Sequence, residues 1–352
     1  MHALTFHGKE KVSFETVPDP KILSPTEVIL KTRVAGICGS DLHVYQEREK
    51  GLDHGTVMGH EVAGEILEAG REVRQFKKGD LVVAAFTTNC GRCFYCQIGL
   101  TCRCEAGQLF GWVQNGAGLQ GVQAEYVRVP LADSTLLALP DEIPLEEALF
   151  LGDILATGYF CAAQAQIEPA GTYVVIGCGP VGLMTIAGAR EHGAEKIFAV
   201  DALPERLQLA AHFGAAPIHL QKDDPLQAVR AATHGRGADA VMEAVGNPAA
   251  QKLAYELVRP GGMISVAGVH TSPHFAFSPA EAYDKNITYR AGRCPARHYM
   301  PRLLPILRSR KYDLQRIISH RLPLRGGVEG YRIFDQKLQS CTKVVLMPEL
   351  KS

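Results

Sequence analysis

The chain has 352 residues, with 37 Lys or Arg balanced by 37 Asp or Glu, so its formal net charge is zero. That balance excludes a general nucleic-acid binder, which carries a basic excess to neutralise phosphates. An apolar fraction of 46% with 21% charged residues is ordinary for a soluble globular protein.

At roughly 100–200 residues per domain, two domains are expected. Residues 1 to about 150 carry short β-type runs at 28–34, 61–67, 81–85 and 124–129, separated by turn residues, and read as a mostly antiparallel, barrel-like β domain. From about Gly171 the pattern alternates. A strand at 173–176 leads to a helix over 182–192. A strand at 196–200 is followed by a helix from Pro204 to near Gly214, and a short strand surrounds Ile218. Asp224 caps the next helix with Pro225 at its first position, and Gly235 lies past its end. A strand at 239–243, a helix from Asn247 to 257, a turn at 259–262 and strands at 263–268 and 287–290 complete the series. Such alternation implies an α/β unit with a doubly wound parallel sheet. Beyond Cys294 the alternation stops. A helix over 299–310 must place Pro301 and Pro305 near its start or be kinked by them, and a last strand at 342–347 returns to complete the first domain.

The uncharged run 170–189 has membrane-spanning length, but its glycines and Pro180 make it a strand, a turn and a helix start. No apolar leader opens the chain, and five of the ten cysteines fall between positions 90 and 104. Together these point to metal-bound thiolates in a reduced, cytoplasmic protein rather than to disulfides.

After the strand at 173–176 comes Gly177-Cys178-Gly179-Pro180-Val181-Gly182. The first glycine permits a tight turn, the second lets backbone approach a pyrophosphate, and the third lets helix and strand pack closely. The helix N-terminus then offers unpaired N–H groups to the phosphates. Asp201 closes the next strand, where a carboxylate accepts hydrogen bonds from a ribose diol and repels a 2′-phosphate, selecting NAD over NADP. Arg206 can touch the same ribose or phosphates, or be a solvated helix charge. Val245 and Val269 end strands on the cofactor side and are expected to flank the dinucleotide.

Cys90, Cys93, Cys96 and Cys104 have the spacing of a closed four-thiolate zinc site, with an iron–sulfur cluster as the rival. Cys102 is a fifth thiol that can substitute as a ligand. Upstream lie the segments Gly36-Ile37-Cys38-Gly39-Ser40-Asp41-Leu42-His43 and Gly59-His60-Glu61-Val62-Ala63-Gly64. With these two segments, the four-cysteine lobe and the glycine loop in this order, the chain resembles the zinc-containing medium-chain alcohol dehydrogenases over nearly its whole length.

The resemblance implies a GroES-like β-barrel-type catalytic domain over 1–153 and 294–352, and a Rossmann domain over 154–293. It implies homodimers or homotetramers, and two zincs per subunit, one catalytic and one structural. Cys38 and His60 match the first two catalytic ligands, and Asp153 stands at the third. Animal alcohol dehydrogenases have Cys there and polyol or threonine dehydrogenases have Glu. Asp resembles the bacterial secondary-alcohol and formaldehyde dehydrogenases. All three residue types ligate zinc and leave its fourth position open. Glu61 can approach the metal or remain behind the ligands, and Asp41 matches the carboxylate that orients the ligand histidine.

Ser40 and His43 match a proton relay that runs from a hydroxyl beside the zinc, through the cofactor ribose, to a histidine. It would drain the proton of an alcohol acidified by the metal as hydride leaves for the nicotinamide. Phe86 and Trp112 are candidate pocket walls. Thr157 and Gly158 match the crossing toward the cofactor, and Arg293 and Arg297 can reach phosphates or lie on the surface. The expected reaction is NAD-dependent oxidation of an alcohol to an aldehyde or ketone, with a polyol or amino-alcohol dehydrogenase of the same fold as the alternative. A non-enzymatic NAD-binding relative would lack a ligand or a relay residue, and a zinc-free quinone reductase would lack both metal sites.

Overall fold

The computed structural model describes residues 1–350. In chain order the strands are β1 (His2–Phe6), β2 (Val12–Thr16), β3 (Val28–Ile37), β4 (Val62–Ala69), β5 (Leu81–Ala84), β6 (Trp112–Gln114), β7 (Ala117–Leu119), β8 (Tyr126–Val129) and β9 (Leu136–Ala138). There follow β10 (Thr172–Ile176), β11 (Lys196–Asp201), β12 (Ala216–His219), β13 (Ala238–Glu243), β14 (Val258–Val266) and β15 (Thr288–Ala291), and finally β16 (His320–Pro323) and β17 (Val344–Met347). The chain divides into two compact units, Met1–Asp153 with Pro295–Ser352, and Ile154–Cys294.

The first unit is built on a sheet ordered β16-β17-β3-β4-β5-β9, with β8 also pairing β3. Its pairings are antiparallel except that of β16 with β17. The long strand β3 organises it. Register shifts at Ile29/Leu30 and Thr32/Val34 bend β3 so that its early half pairs β8 while its last residues pair β17. One apolar core gathers Leu30, Ile66, Val82 and Phe110, and another gathers Leu4, Ile37, Tyr331 and Val344. The second core joins the chain's beginning to its end, because Val344 sits opposite Ile37.

The second unit holds a six-stranded, wholly parallel sheet ordered β12-β11-β10-β13-β14-β15. The chain order reverses beside β10, at the switch point where open α/β sheets bind ligands. All five residues of β10 are buried, as a strand covered by helices on both faces requires. Five helices of this unit, opening at Pro180, Pro204, Pro225, Pro248 and Pro279, carry proline in their first turn, where the missing N–H costs nothing. Asp224 and Asn247 cap theirs through side-chain oxygens.

Several elements depart from the sequence reading. The turn expected at 259–262 is the bulged first half of β14. Val258 pairs Ala238 and Met263 pairs Ala240, so four residues loop out opposite one. The C-terminal helix starts earlier than expected, at Ala296, and runs to Ser309 with both prolines inside it. Both are exposed, so the interrupted hydrogen bonds fall on the solvent side, where water takes the released carbonyls. The helix Ile154–Gln164 was not expected. Seven of its eleven residues are buried, so it shows no polar stripe to betray a helical period. The helix Gly327–Asp335 and the strands β1 and β2 were likewise not foreseen. The run 170–189 is split among β10, the glycine turn and the helix Pro180–Glu191, and no helix among the described residues is long and apolar enough to cross a membrane.

Candidate active site and metal centres

Cys38 follows directly on the end of β3, and His60 and Glu61 lead into β4. Asp153 terminates a 3-10 turn, Leu149–Gly152, with an unusual backbone conformation of φ −147°, ψ −84°. Gly152 permits this approach, because a Cβ there would lie 2.2 Å from the Ala84 carbonyl oxygen of β5. Donor atoms of Cys38, His60, Glu61 and Asp153 all fall within 4.8 Å of one another, and all four residues are buried. The Cys38 Sγ lies 3.1 Å from Asp153 Oδ2, and His60 Nε2 lies 3.3 Å from the same oxygen.

Asp41 orients the imidazole. Its Oδ1 lies 3.0 Å from His60 Nδ1, and its Oδ2 accepts the backbone N–H of Cys38 at 2.9 Å. The Nδ1 proton is therefore committed to Asp41, and Nε2 faces Asp153 and Ser40. Burial, with Asp153 and Glu61 nearby, pushes the Cys38 thiol up to about 11. Burial opposes charge on His60, yet Asp41 and Asp153 hold its pKa well above the ordinary value. Burial likewise opposes charge on Asp153, but His60 holds it well below the usual carboxylate range. Packing a thiol, an imidazole and two carboxylates together out of water is costly, a cost that Lys343 offsets at Glu61 and that a metal cation would offset at the other three. Cys, His and Asp are zinc ligands, so the donor set fits that metal. Glu61 Oε1 is a buried oxygen with no hydrogen-bond partner, and Oε2 is held by Lys343.

Ser40 Oγ donates to Cys38 Sγ at 3.3 Å and lies 3.2 Å from His60 Nε2. His43 is buried with Nδ1 unpartnered, and burial, reinforced by Arg48, lowers its pKa to about 4, so it is neutral near pH 7. Phe86 packs edge-on to His60 with ring centroids 6.2 Å apart, whereas Trp112 packs against the core of Leu4 and Tyr331.

The four thiols that come together in the loop at 90–104 are those of Cys90, Cys93, Cys96 and Cys104, and Cys102 is not among them. The short helix Phe94–Gln97 and the turn Thr101–Arg103 bring the chain around. The Cys90 N–H donates to Cys104 Sγ at 3.1 Å and the Cys93 N–H to Cys90 Sγ at 3.4 Å, as thiolate acceptors favour. Backbone donors at Glu105 and Cys96 lower Cys93 to about 6. Burial pushes Cys96 up to about 12, with Cys93 beside it, and a shared cation would relieve that conflict.

In the second unit Gly177 has φ +87° and a Cβ on it would meet Val245 Cγ2 at 2.5 Å. A Cβ on Gly182 would fall 1.7 Å from the Gly177 carbonyl oxygen, so only glycine allows strand and helix this close. Gly179, at the N-terminus of the helix Pro180–Glu191, would meet only Arg206 Nη1, at 3.6 Å, which leaves its backbone open to a phosphate. The turn is thus the cradle a dinucleotide requires. Asp201 Oδ2 accepts the Cys178 N–H at 2.7 Å and Oδ1 the Leu203 N–H at 2.9 Å, fixing the carboxylate beside the loop. Arg206 Nε has no partner. Val245 and Val269 are both exposed, on turns that touch at Gly246.

Sequence reasoning missed the residues behind these sites. Lys343 pairs with Glu61, Gln123 hydrogen-bonds Asp41, and Tyr331 hydrogen-bonds Gln123. In the second unit Glu243 accepts the N–H groups of Val245 and Gly246 and pairs with His270 at 2.9 Å. The one available signal was a charged residue beside an apolar run, Ala240–Met242 for Glu243 and Val344–Met347 for Lys343.

Two family models match the chain. The alcohol dehydrogenase GroES-like domain covers residues 24–141 and the zinc-binding dehydrogenase model covers residues 180–309. The chain is 42% identical to zinc-type alcohol dehydrogenase B of Aspergillus flavus over 95% of this chain and 79% of that protein. It is 35% identical to the NADP-dependent isopropanol dehydrogenase of Thermoanaerobacter brockii over 84% of this chain and 85% of that one. The solved structure of the alcohol dehydrogenase TADH from Thermus sp. ATN1 superposes with a TM-score of 0.92 at 41% identity, covering 99% of both chains.

Proposed function

Since the chain belongs to the zinc-containing alcohol dehydrogenase family, we propose that it is an NAD-dependent enzyme that oxidises a simple alcohol to an aldehyde or ketone, reversibly, with two zincs per chain. The observation that carries this reading is the buried set of Cys38, His60 and Asp153, with His60 oriented by Asp41. These three would hold the catalytic zinc, and Cys90, Cys93, Cys96 and Cys104 the second. When bound, the metal supplies Lewis acidity that lowers the pKa of an alcohol hydroxyl, and the nicotinamide supplies the hydride acceptor.

The chain's own residues do the rest. Ser40 Oγ is the hydroxyl next to the donor set and receives the substrate proton. His43, kept neutral by burial and with Nδ1 unpartnered, ends the relay, which reaches it through the cofactor ribose. Lys343 holds Oε2 of Glu61 while Oε1 stays unpartnered beside the donor set, and Cys38, His60 and Asp153 as ligands leave a fourth metal position for substrate. Gly177, Gly179, Pro180, Val181 and Gly182 form the phosphate turn. Asp201 accepts from the ribose diol and repels a 2′-phosphate, Arg206 flanks the turn, and Val245 and Val269 border the dinucleotide.

The test is an initial-rate screen with NAD and NADP over primary, secondary and polyhydric alcohols and hydrated aldehydes, on protein of measured metal content. Preference for NAD and for monohydric alcohols is expected. Preference for NADP removes the role given to Asp201, and activity on polyols alone replaces the substrate class.

A further inference from the structure

Behind Asp41 runs a chain of hydrogen bonds that neither the metal site nor the proton path uses. Gln123 is fully buried, and its Nε2 donates to Asp41 Oδ2 at 3.3 Å and to the Gly36 carbonyl at 2.9 Å. Its Oε1 accepts from Tyr331 Oη at 2.9 Å, and Tyr331 is itself fully buried on the helix Gly327–Asp335. The direction of this chain is dictated by chemistry. A carboxylate and a backbone carbonyl only accept, so the amide NH2 must face them, and its oxygen must then face a donor. The Tyr331 hydroxyl is that donor. Rotating the amide by half a turn would set oxygen against two acceptors in a buried site, at the cost of unsatisfied groups.

The amide is also held by packing against the ligand segment. Gly59, which precedes His60, has φ +87°, and a Cβ there would lie 2.4 Å from Gln123 Cγ and 2.7 Å from Nε2. The Gln123 N–H donates to the Met58 carbonyl at 2.9 Å. Gln123 thus fills the notch made by Gly59.

We propose that Tyr331 and Gln123 are positioning residues for the catalytic metal. Tyr331 sets the orientation of the Gln123 amide, the amide donates to Asp41, and Asp41 holds the Nδ1 proton of His60 so that Nε2 presents its lone pair to the metal. A residue near the C-terminus thereby governs the tautomer of a histidine near the N-terminus. The inference rests on the reading of His60 as a zinc ligand.

The test is zinc affinity of each site, read by stepwise release of zinc to a chromogenic chelator and then by a mercurial that liberates the four-cysteine zinc. Partners of a ligand histidine typically contribute 10–100-fold to metal affinity. Gln123→Met, which keeps the length and removes both polar groups, should weaken the first site about tenfold and leave the four-cysteine site unchanged. Tyr331→Phe should do the same in the native background and add nothing in the Gln123→Met background, because it acts through the amide. The visible spectrum of the cobalt-substituted first site should shift in both variants.

Wild-type affinity and spectrum in Gln123→Met would overturn the proposal. So would losses that add in the double variant, or equal loss of both zincs, which would mark general destabilisation. His60→Ala separates the two readings. If it keeps the first zinc, the ligand assignment fails. If it loses that zinc while Gln123→Met keeps it, the positioning role alone fails.

Discussion

The Lys343 ammonium is paired with the Glu61 carboxylate where neither side chain reaches water, at 0% and 1% exposure. Burial disfavours charge on both partners and pushes the Glu61 carboxyl up to about 7, while Glu61 raises the Lys343 pKa above its ordinary value. Gly36 makes room for it, since a Cβ there would lie 1.8 Å from Glu61 Oε2. The pair connects β17, from the end of the chain, to the segment that carries a proposed metal ligand.

Removing one member should therefore be costly. Lys343→Met leaves a buried carboxylate without its counter-charge and should destabilise the protein by about 3–5 kcal/mol. Adding Glu61→Gln to that variant should recover most of the loss, because no unpaired charge remains. Chemical unfolding of both variants at one zinc concentration measures the difference, and equal stability of the single and double variants would contradict it.

Asp153 is expected to separate the two metal sites. Asp153→Ala should lower the zinc content from about two to about one per chain, with the remaining metal on the four thiolates. Elemental analysis before and after gel filtration reads this directly. Retention of both metals would show that Asp153 is no ligand.

The complementary change is Cys96→Ser. It should abolish the four-thiolate site and leave the Cys38–His60–Asp153 site loaded. The loop at 90–104 has only short helical turns of its own and exposes Phe94 and Ile98, so its order depends on the cluster. Limited proteolysis should cut the variant within this loop, and an uncut loop would argue that packing alone holds it.

Cofactor choice is tested at Asp201. Asp201→Asn keeps the side chain's size and removes the charge that opposes a 2′-phosphate. The ratio of kcat/KM for NAD over NADP should fall about 10–100-fold, the worth of one charge-assisted hydrogen bond or its repulsive equivalent. An unchanged ratio would move the discrimination elsewhere in the loop.

What could be read before folding was whatever lies close along the chain. The Gly177–Gly182 turn, the thiol spacing from Cys90 to Cys104 and the proline-led helices are local patterns, because a tight turn, a thiolate cage or a first helical turn is completed within a few residues. The alternation after Gly171 exposed the parallel sheet for the same reason. The helix Ile154–Gln164 escaped because it is buried on most sides and carries no amphipathic stripe. The helix Ala296–Ser309 begins three residues before the expected start, and that its two interior prolines face solvent is a tertiary fact.

The sequence by itself thus determined which residue types are present to hold a metal and a dinucleotide, and the local turns that present them. Only the tertiary structure decided what stands behind them. Tyr331 lies 208 residues from Gln123, and Lys343 lies 282 residues from Glu61. No spacing rule links such partners. They meet because β17 pairs with the end of β3 and the helix before it packs into the same core. Once buried there, a polar group must find whatever partner the fold brings within reach.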